Sequence, residues 1–235
     1  MQLRLVLLGG GNALGRALVR LGAEDDIAFL APKPDKGAWD AASLTSLIDE
    51  VRPDAVINLA YYYDWFQAGM VDPEHFVPQE RAVERLAQLC KHHDCILIQP
   101  SSYRVFDGVR ATAYNETSEC KPLSPRGQAL VRMEQSVRAL CSKHVLLRVG
   151  WLLDDSPDGV LGRMLRRAQD HELMEMADDR RGNPTPVEDA ARVILAILKQ
   201  LDCAAPLWGT YHYGGQEAAT TLAVAQAILA EAQAW

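Results

Sequence analysis

The sequence predicts an α/β fold, a doubly wound parallel sheet followed by a small C-terminal lobe. Three observations lead there. Short apolar runs alternate with longer amphipathic ones, the pattern of repeated strand–helix–strand units. A glycine cluster, Gly9-Gly10-Gly11, stands between the first apolar run and the first amphipathic one. After Gly150 the rhythm changes, and turns rich in Pro and Gly separate mainly helical segments.

Leu3–Leu8, Ile27–Ala31, Ala55–Leu59, Cys95–Gln99 and Val145–Val149 are the short apolar runs and read as strands. Ala13–Leu21, Leu44–Val51, Gln79–His92 and Gln128–Cys141 carry apolar residues at three- and four-residue spacing and read as helices. Right-handed crossovers stack these strands into one sheet. Beyond Gly150, Gly159–Asp170, Pro186–Leu201 and Thr220–Ala234 read as helices, punctuated by Pro157-Asp158-Gly159 and by Gly182-Asn183-Pro184-Thr185-Pro186. Pro184 and Pro186 stiffen the second turn, and Thr185 is placed to cap the helix beginning near Val187. We therefore divide the chain into a domain over residues 1–150 and a lobe over residues 151–235, packed as one globular unit.

Composition narrows the function classes. The 235 residues are 49% apolar and 23% charged, with a net charge of −7. No sequence-wide basic field exists to attract nucleic acid or an anionic membrane. Arg163, Arg166 and Arg167, like Arg180 and Arg181, stand among carboxylates and read as solvated faces. No apolar run approaches the roughly 20 residues of a membrane helix, and the N-terminal run is too short for a secretory leader. Cys90, Cys95, Cys120, Cys141 and Cys203 form no C-x-x-C, and with six scattered histidines they offer no metal-ligand spacing. Reduced thiols in a cytoplasmic protein are the expectation.

The glycine cluster carries the first chemistry. Gly9-Gly10-Gly11-Asn12-Ala13-Leu14-Gly15 follows a strand and opens a helix, the setting of a Rossmann-type dinucleotide fingerprint. There, backbone amides at a helix N-terminus meet a pyrophosphate, and glycine supplies positive φ or room for the phosphates. Asn12 stands at the middle glycine of G-x-x-G-x-x-G, and asparagine tolerates the left-handed region that glycine would use. At the end of the second strand, Leu30-Ala31-Pro32-Lys33 has no acid for a ribose 2′-hydroxyl and one lysine for a 2′-phosphate. NADP(H) is expected ahead of NAD(H).

A second segment carries a resemblance. Ser101-Ser102-Tyr103-Arg104-Val105-Phe106-Asp107-Gly108, then Tyr114-Asn115-Glu116, then Pro122-Leu123-Ser124-Pro125-Arg126-Gly127, resembles S-T-D-Y-V-F-D-G, P-Y-x-E and P-L-x-x-Y-G-x-S-K. These are motifs of the dTDP-4-dehydrorhamnose reductase family of extended short-chain dehydrogenases. The resemblance implies that Asp40 lies beside the adenine, that Leu59-Ala60-Tyr61 packs along the cofactor, and that Ser101 belongs to the same site. It gives Ser102 the carbonyl-binding hydroxyl, and places Val105, Phe106, Arg126 and Trp151 at the substrate. Leu147-Arg148-Val149-Gly150-Trp151 is similar to the family's L-R-x-x-W, and Asp178–Thr185 to D-D-Q-x-G-x-P-T. Family members also continue some tens of residues past a helix like Thr220–Ala234, a tail that completes the sugar-nucleotide pocket.

The same register exposes departures. Arg126 stands where the catalytic tyrosine belongs and Leu130 where the lysine belongs, while Gln79 replaces a helix asparagine. No tyrosine of the chain, Tyr61, Tyr62, Tyr63, Tyr103, Tyr114, Tyr211 or Tyr213, has lysine four residues later. Arginine stays protonated and cannot serve as the acid, although it can hold a phosphate or carboxylate. A surface arginine at a helix start is the alternative for Arg126. The expectation is a nucleotide-binding protein without reductase chemistry that acts through a partner protein. The alternative is an active reductase of a 4-keto sugar nucleotide or another small carbonyl compound, with Tyr103, Tyr62 or water as acid. A homodimer through helices flanking the sheet is common in such folds.

Overall fold

A computed structural model of the chain describes residues 3–34, 37–61, 72–154, 156–157, 159–170, 174–203 and 205–233. In chain order these form β1 (Leu5–Leu8), α1 (Ala13–Glu24), β2 (Phe29–Leu30), α2 (Ala41–Val51), β3 (Ala55–Asn58), α3 (Val77–His92), β4 (Ile96–Ser102), α4 (Pro125–Leu140) and β5 (His144–Val149). The chain continues through β6 (Trp151–Leu153), α5 (Val160–Gln169), β7 (Arg181–Gly182), β8 (Pro184–Pro186), α6 (Val187–Asp202), β9 (Gly209–Tyr213), β10 (Ala219–Thr220) and α7 (Thr221–Gln233).

The main sheet is six-stranded and parallel, in the order β2-β1-β3-β4-β5-β9. This is the doubly wound α/β architecture expected. Every residue of β1, β3 and β5 is buried, as near-continuous apolar runs covered on both faces require. α1 and α6 pack together on one side of the sheet, and α2, α3 and α4 pack in succession on the other. Leu14 and Leu18 of α1, Val83 and Leu86 of α3, and Met133 and Val137 of α4 close one continuous core. Each such side chain contributes on the order of 1.5–3 kcal/mol by leaving water. α5 and α7 pack on each other beside two small ladders, β6 with β8 and β7 with β10.

Several elements differ from their sequence reading. The second strand covers only Phe29–Leu30 of the expected Ile27–Ala31. Its start is held back because the Ile27 N–H donates to the Gly22 carbonyl at the end of α1, and Pro32 lacks an N–H to continue the ladder. β4 instead runs three residues past Gln99, through Pro100. Leu97 N–H faces β5 across the sheet, so the Pro100 nitrogen points toward β3, where the ladder has already ended at Ile98. A central strand tolerates proline there because no bond is lost. The sixth strand, Gly209-Thr210-Tyr211-His212-Tyr213, escaped sequence reading because it is a half-buried edge strand of mixed polarity rather than an apolar run. Thr185 does not cap α6; its hydroxyl donates to Asn183 O and accepts from Gly215 N–H, and Pro186 occupies the cap.

Candidate functional site

The sheet order reverses between β1 and β3, so a crevice opens above their carboxyl ends, the usual ligand position in open α/β sheets. The glycine loop lines it. Gly9 has φ +82°, and a Cβ there would run into the Leu59 carbonyl. A Cβ on Gly15 would lie 2.5 Å from the Gly9 carbonyl oxygen, so the loop and α1 touch backbone to backbone. Gly11 is exposed, with open space where its Cβ would project. Asn12 departs from expectation: its φ is −81° and ψ 170°, extended rather than left-handed. It is the N-cap of α1, accepting from Gly15 N–H at 2.8 Å and donating from Nδ2 to Leu59 O at 3.0 Å. The asparagine thus fastens the loop to the end of β3, and the first-turn N–H groups of Ala13 and Leu14, which have no intrahelical acceptor, are left for an anion. Arg16, which sequence reading missed, donates to Gly11 O at 2.6 Å and sets a guanidinium at the lip. These residues fit the pyrophosphate of a dinucleotide. Gly15→Ala is expected to lower stability by about 1–3 kcal/mol through overpacking; an unchanged thermal midpoint would show that the loop yields freely.

The remaining cofactor candidates are placed unequally. Lys33 is exposed just after β2, with no ion pair among the described residues. Asp40 caps α2 in a capping box with Ser43, and its side chain is the ordinary solution to a helix start. Leu59 is buried in the core, Ala60 is half-buried above it, and Tyr61 is buried with its hydroxyl donating to Trp39 O. Ser101 is buried and donates its hydroxyl to Glu134 at 2.6 Å, joining a buried ion-pair network. Tyr62, named as an alternative acid, lies outside the described residues.

The catalytic frame closes around different side chains. Ser102 is fully buried at the end of β4, and its Oγ accepts weakly from Arg104 N–H at 3.4 Å. Leu130 is 1% exposed and packs in the core. Arg126 is 7% exposed, not a surface side chain, because α4 begins tightly against the short 3-10 turn Tyr103–Val105. A Cβ on Gly127 would collide with the Arg104 carbonyl. Gln79 is also buried, on α3. Tyr103 lies between these parts, its ring 6.4 Å from that of Trp151, with the Arg104 guanidinium 5.6 Å from its centroid. Burial pushes the Tyr103 hydroxyl above its ordinary pKa, partly offset by Arg104, the Trp151 N–H, Arg126 and Arg180. Trp151 itself rests on the backbone of Gly182.

The retained motif residues mostly hold the loop 103–124 onto the sheet. Val105 is fully buried, which removes it from any substrate surface. Phe106 stacks on Tyr114 with centroids 4.4 Å apart, and the Arg148 guanidinium covers Phe106 at 5.1 Å. Tyr114 donates to Asp107, whose carboxyl is held below its ordinary pKa chiefly by that hydroxyl. Glu116 accepts from the backbone N–H of His212 on β9 at 2.9 Å. At the centre, buried Glu134 accepts from Arg148 Nε at 2.9 Å and Nη2 at 2.7 Å, from Arg138 at 2.7 Å and from Ser101. The conjunction of Glu134 and Arg148 was not foreseen as a unit. Its signal was Arg148, a lone charge inside the apolar run Val145–Val149; Glu134 stands among Arg132, Gln135 and Ser136 and gave none.

Fold and crevice define an α/β protein of the dinucleotide-binding fold class. The model of the RmlD substrate binding domain family matches residues 3–235, and the chain belongs to that family. It is 28% identical over 235 residues to a dTDP-4-dehydrorhamnose reductase of Aggregatibacter actinomycetemcomitans, covering 98% of this chain and 80% of the relative. The enzyme of that name from Escherichia coli K12 is 26% identical over 229 residues, 95% of this chain and 75% of its own length. Among solved structures, a dTDP-4-dehydrorhamnose reductase of Bacillus anthracis in complex with NADP superposes with a TM-score of 0.83 at 21% identity, over 99% of this chain and 82% of that one. The corresponding ortholog from Clostridium acetobutylicum gives 0.84 at 20% identity, over 98% and 80%. Among the described residues no helix is long and apolar enough to cross a membrane.

Proposed function

We propose that the protein binds a nicotinamide dinucleotide, NADP(H) ahead of NAD(H), and uses the bound state to engage a partner protein without performing the family's reduction. The observation that carries this is position 130: a core leucine stands where the lysine would act, one helical turn from an arginine that cannot release a proton. The family's cofactor supplies hydride to a carbonyl when bound. In this chain Gly10, Gly11, Ala13 and Leu14 offer backbone to its phosphates, Arg16 offers a cation, and Lys33 suits a 2′-phosphate. The dTDP-4-dehydrorhamnose reductases among the relatives and the NADP complex of one structural neighbour support the cofactor class.

Titration should show NADPH binding more tightly than NADH. Absence of binding by either at near-millimolar concentration overturns the proposal. With dTDP-4-dehydrorhamnose, NADPH consumption should stay at least about a hundredfold below ordinary enzyme rates, roughly 1–1000 per second. Turnover in that range would favour a second reading, reduction of a 4-keto sugar nucleotide or another small carbonyl compound with Tyr103 as acid. Tyr103 follows Ser102 directly and keeps its proton because burial raises its pKa. Under that reading Tyr103→Phe removes the activity.

A further inference from the structure

Beside Ser102, Arg104 lies against the aromatic pair Tyr103 and Trp151, and Arg126 and Arg180 stand on the neighbouring segments. Arg104 lies over the face of Tyr103, and its Nε is buried without a hydrogen-bond partner. Arg126 is buried on the first turn of α4, whose next residue, Gly127, abuts the Arg104 carbonyl. Arg180 stands exposed on the lobe, two residues before Gly182, the backbone on which the Trp151 indole rests. Among the described residues neither Arg104 nor Arg180 is paired with a carboxylate. The positive charge of all three reaches the Tyr103 hydroxyl and favours its ionised form against the stronger effect of burial.

A buried guanidinium donor left without an acceptor destabilises the fold, so its persistence at a crevice points to an acceptor supplied from outside. Arginine offers a planar fork that meets two oxygens at once, and the aromatic walls of Tyr103 and Trp151 exclude water from one side. We propose that this corner binds an oxyanion, a carboxylate or a phosphate ester, on the ligand that shares the crevice with the nucleotide. The inference rests on the cofactor reading and deepens it: the second ligand is an anionic small molecule held by Arg104, Arg126 and Arg180. A neutral ketone would bring one oxygen and no charge to that corner.

The test is calorimetric titration of NADPH-saturated protein with inorganic phosphate and, separately, with malonate, at low ionic strength. Saturation blocks the glycine loop as a competing anion site. One anion per chain is expected, weakened about tenfold or more in Arg104→Gln and Arg126→Gln, and unchanged in Arg81→Gln on the exposed side of α3. Arg180→Gln, at an exposed position, is the variant whose folding is not at issue, and it should also weaken binding. Phosphate alone binding identifies a phosphate ester, and malonate alone a carboxylate. No heat from either anion, or equal affinity in the Arg104, Arg126 and Arg180 variants, overturns the inference while NADPH binding stands. If NADPH does not bind, the cofactor reading falls by itself, and the same variants titrated without it still decide the anion site.

Discussion

Replacing Glu134 by leucine is expected to cost about 3–5 kcal/mol of folding stability, because it strands Arg148 as a buried charge. Glu134 and Arg148 side chains are 1% and 3% exposed, and the carboxylate receives two of the guanidinium's donors. The other Arg148 contacts, to His212 Nε2 at 3.2 Å, to Cys120 Sγ at 3.1 Å and to the Phe106 face, cannot neutralise it. Denaturant unfolding should therefore move sharply in Glu134→Leu, and should largely recover in the double variant Glu134→Leu with Arg148→Met, where no charge is left buried. A loss below about 1 kcal/mol in the single variant would show that the pair does not hold α4 to the sheet.

The same pair sets an acid dependence. Burial raises the Glu134 pKa, but the hydrogen bonds and charge of Arg148, with Ser101 and Arg138, more than offset it, and the net shift is downward. A carboxylate with a depressed folded-state pKa contributes stability above its unfolded value and loses it as pH falls through the folded value. The wild-type chain should lose stability on that acid limb, whereas the double variant should show a shallower loss there. Parallel acid limbs in the two proteins would exclude Glu134 as the titrating group.

Restoring the missing pair, Arg126→Tyr with Leu130→Lys, is expected to raise NADPH-dependent reduction of dTDP-4-dehydrorhamnose by about a hundred- to ten-thousand-fold over the wild-type chain, the usual contribution of a positioned general acid. Neither single substitution should reach that range, since a tyrosine without its lysine and a lysine without its tyrosine each leave half the unit. The lysine enters a position now filled by core leucine, so the double variant should melt lower than wild type and regain part of the difference when NADPH is added. A folded, NADPH-binding double variant with no gain in turnover would place the loss elsewhere as well, with Asn12 and Gln79 the first positions to restore.

These effects were legible in the sequence to different degrees. The strand–helix alternation could be read directly, because buried parallel strands are continuous apolar runs. So could the glycine loop, because three consecutive glycines stand between an apolar strand and an amphipathic helix. β9 could not, since Thr210, His212 and two half-buried tyrosines do not distinguish an edge strand from a loop. Asn12 was placed at the right position with the wrong backbone. Its conformation follows from a bond to the Leu59 carbonyl, 47 residues away in the chain. The motif Phe106-Asp107 with Tyr114 and Glu116 read as the scaffold of the site, with Phe106 at the substrate, and its side chains chiefly bind the loop to itself, to Arg148 and to β9.

What the sequence determined by itself is the α/β class, the glycine loop between the first strand and helix, and the lack of any Tyr-x-x-x-Lys. That last point needs no coordinates, because the spacing is read from residue order alone. Which polar groups face the crevice was decided only by tertiary structure. Arg126 reads as a surface residue by type and lies buried against the Tyr103 turn, Ser101 turns to Glu134, and Asp40 caps α2. The physical reason is that the direction and partner of a charged side chain depend on packing between segments far apart in sequence. Burial of a strand depends mostly on its own apolar content.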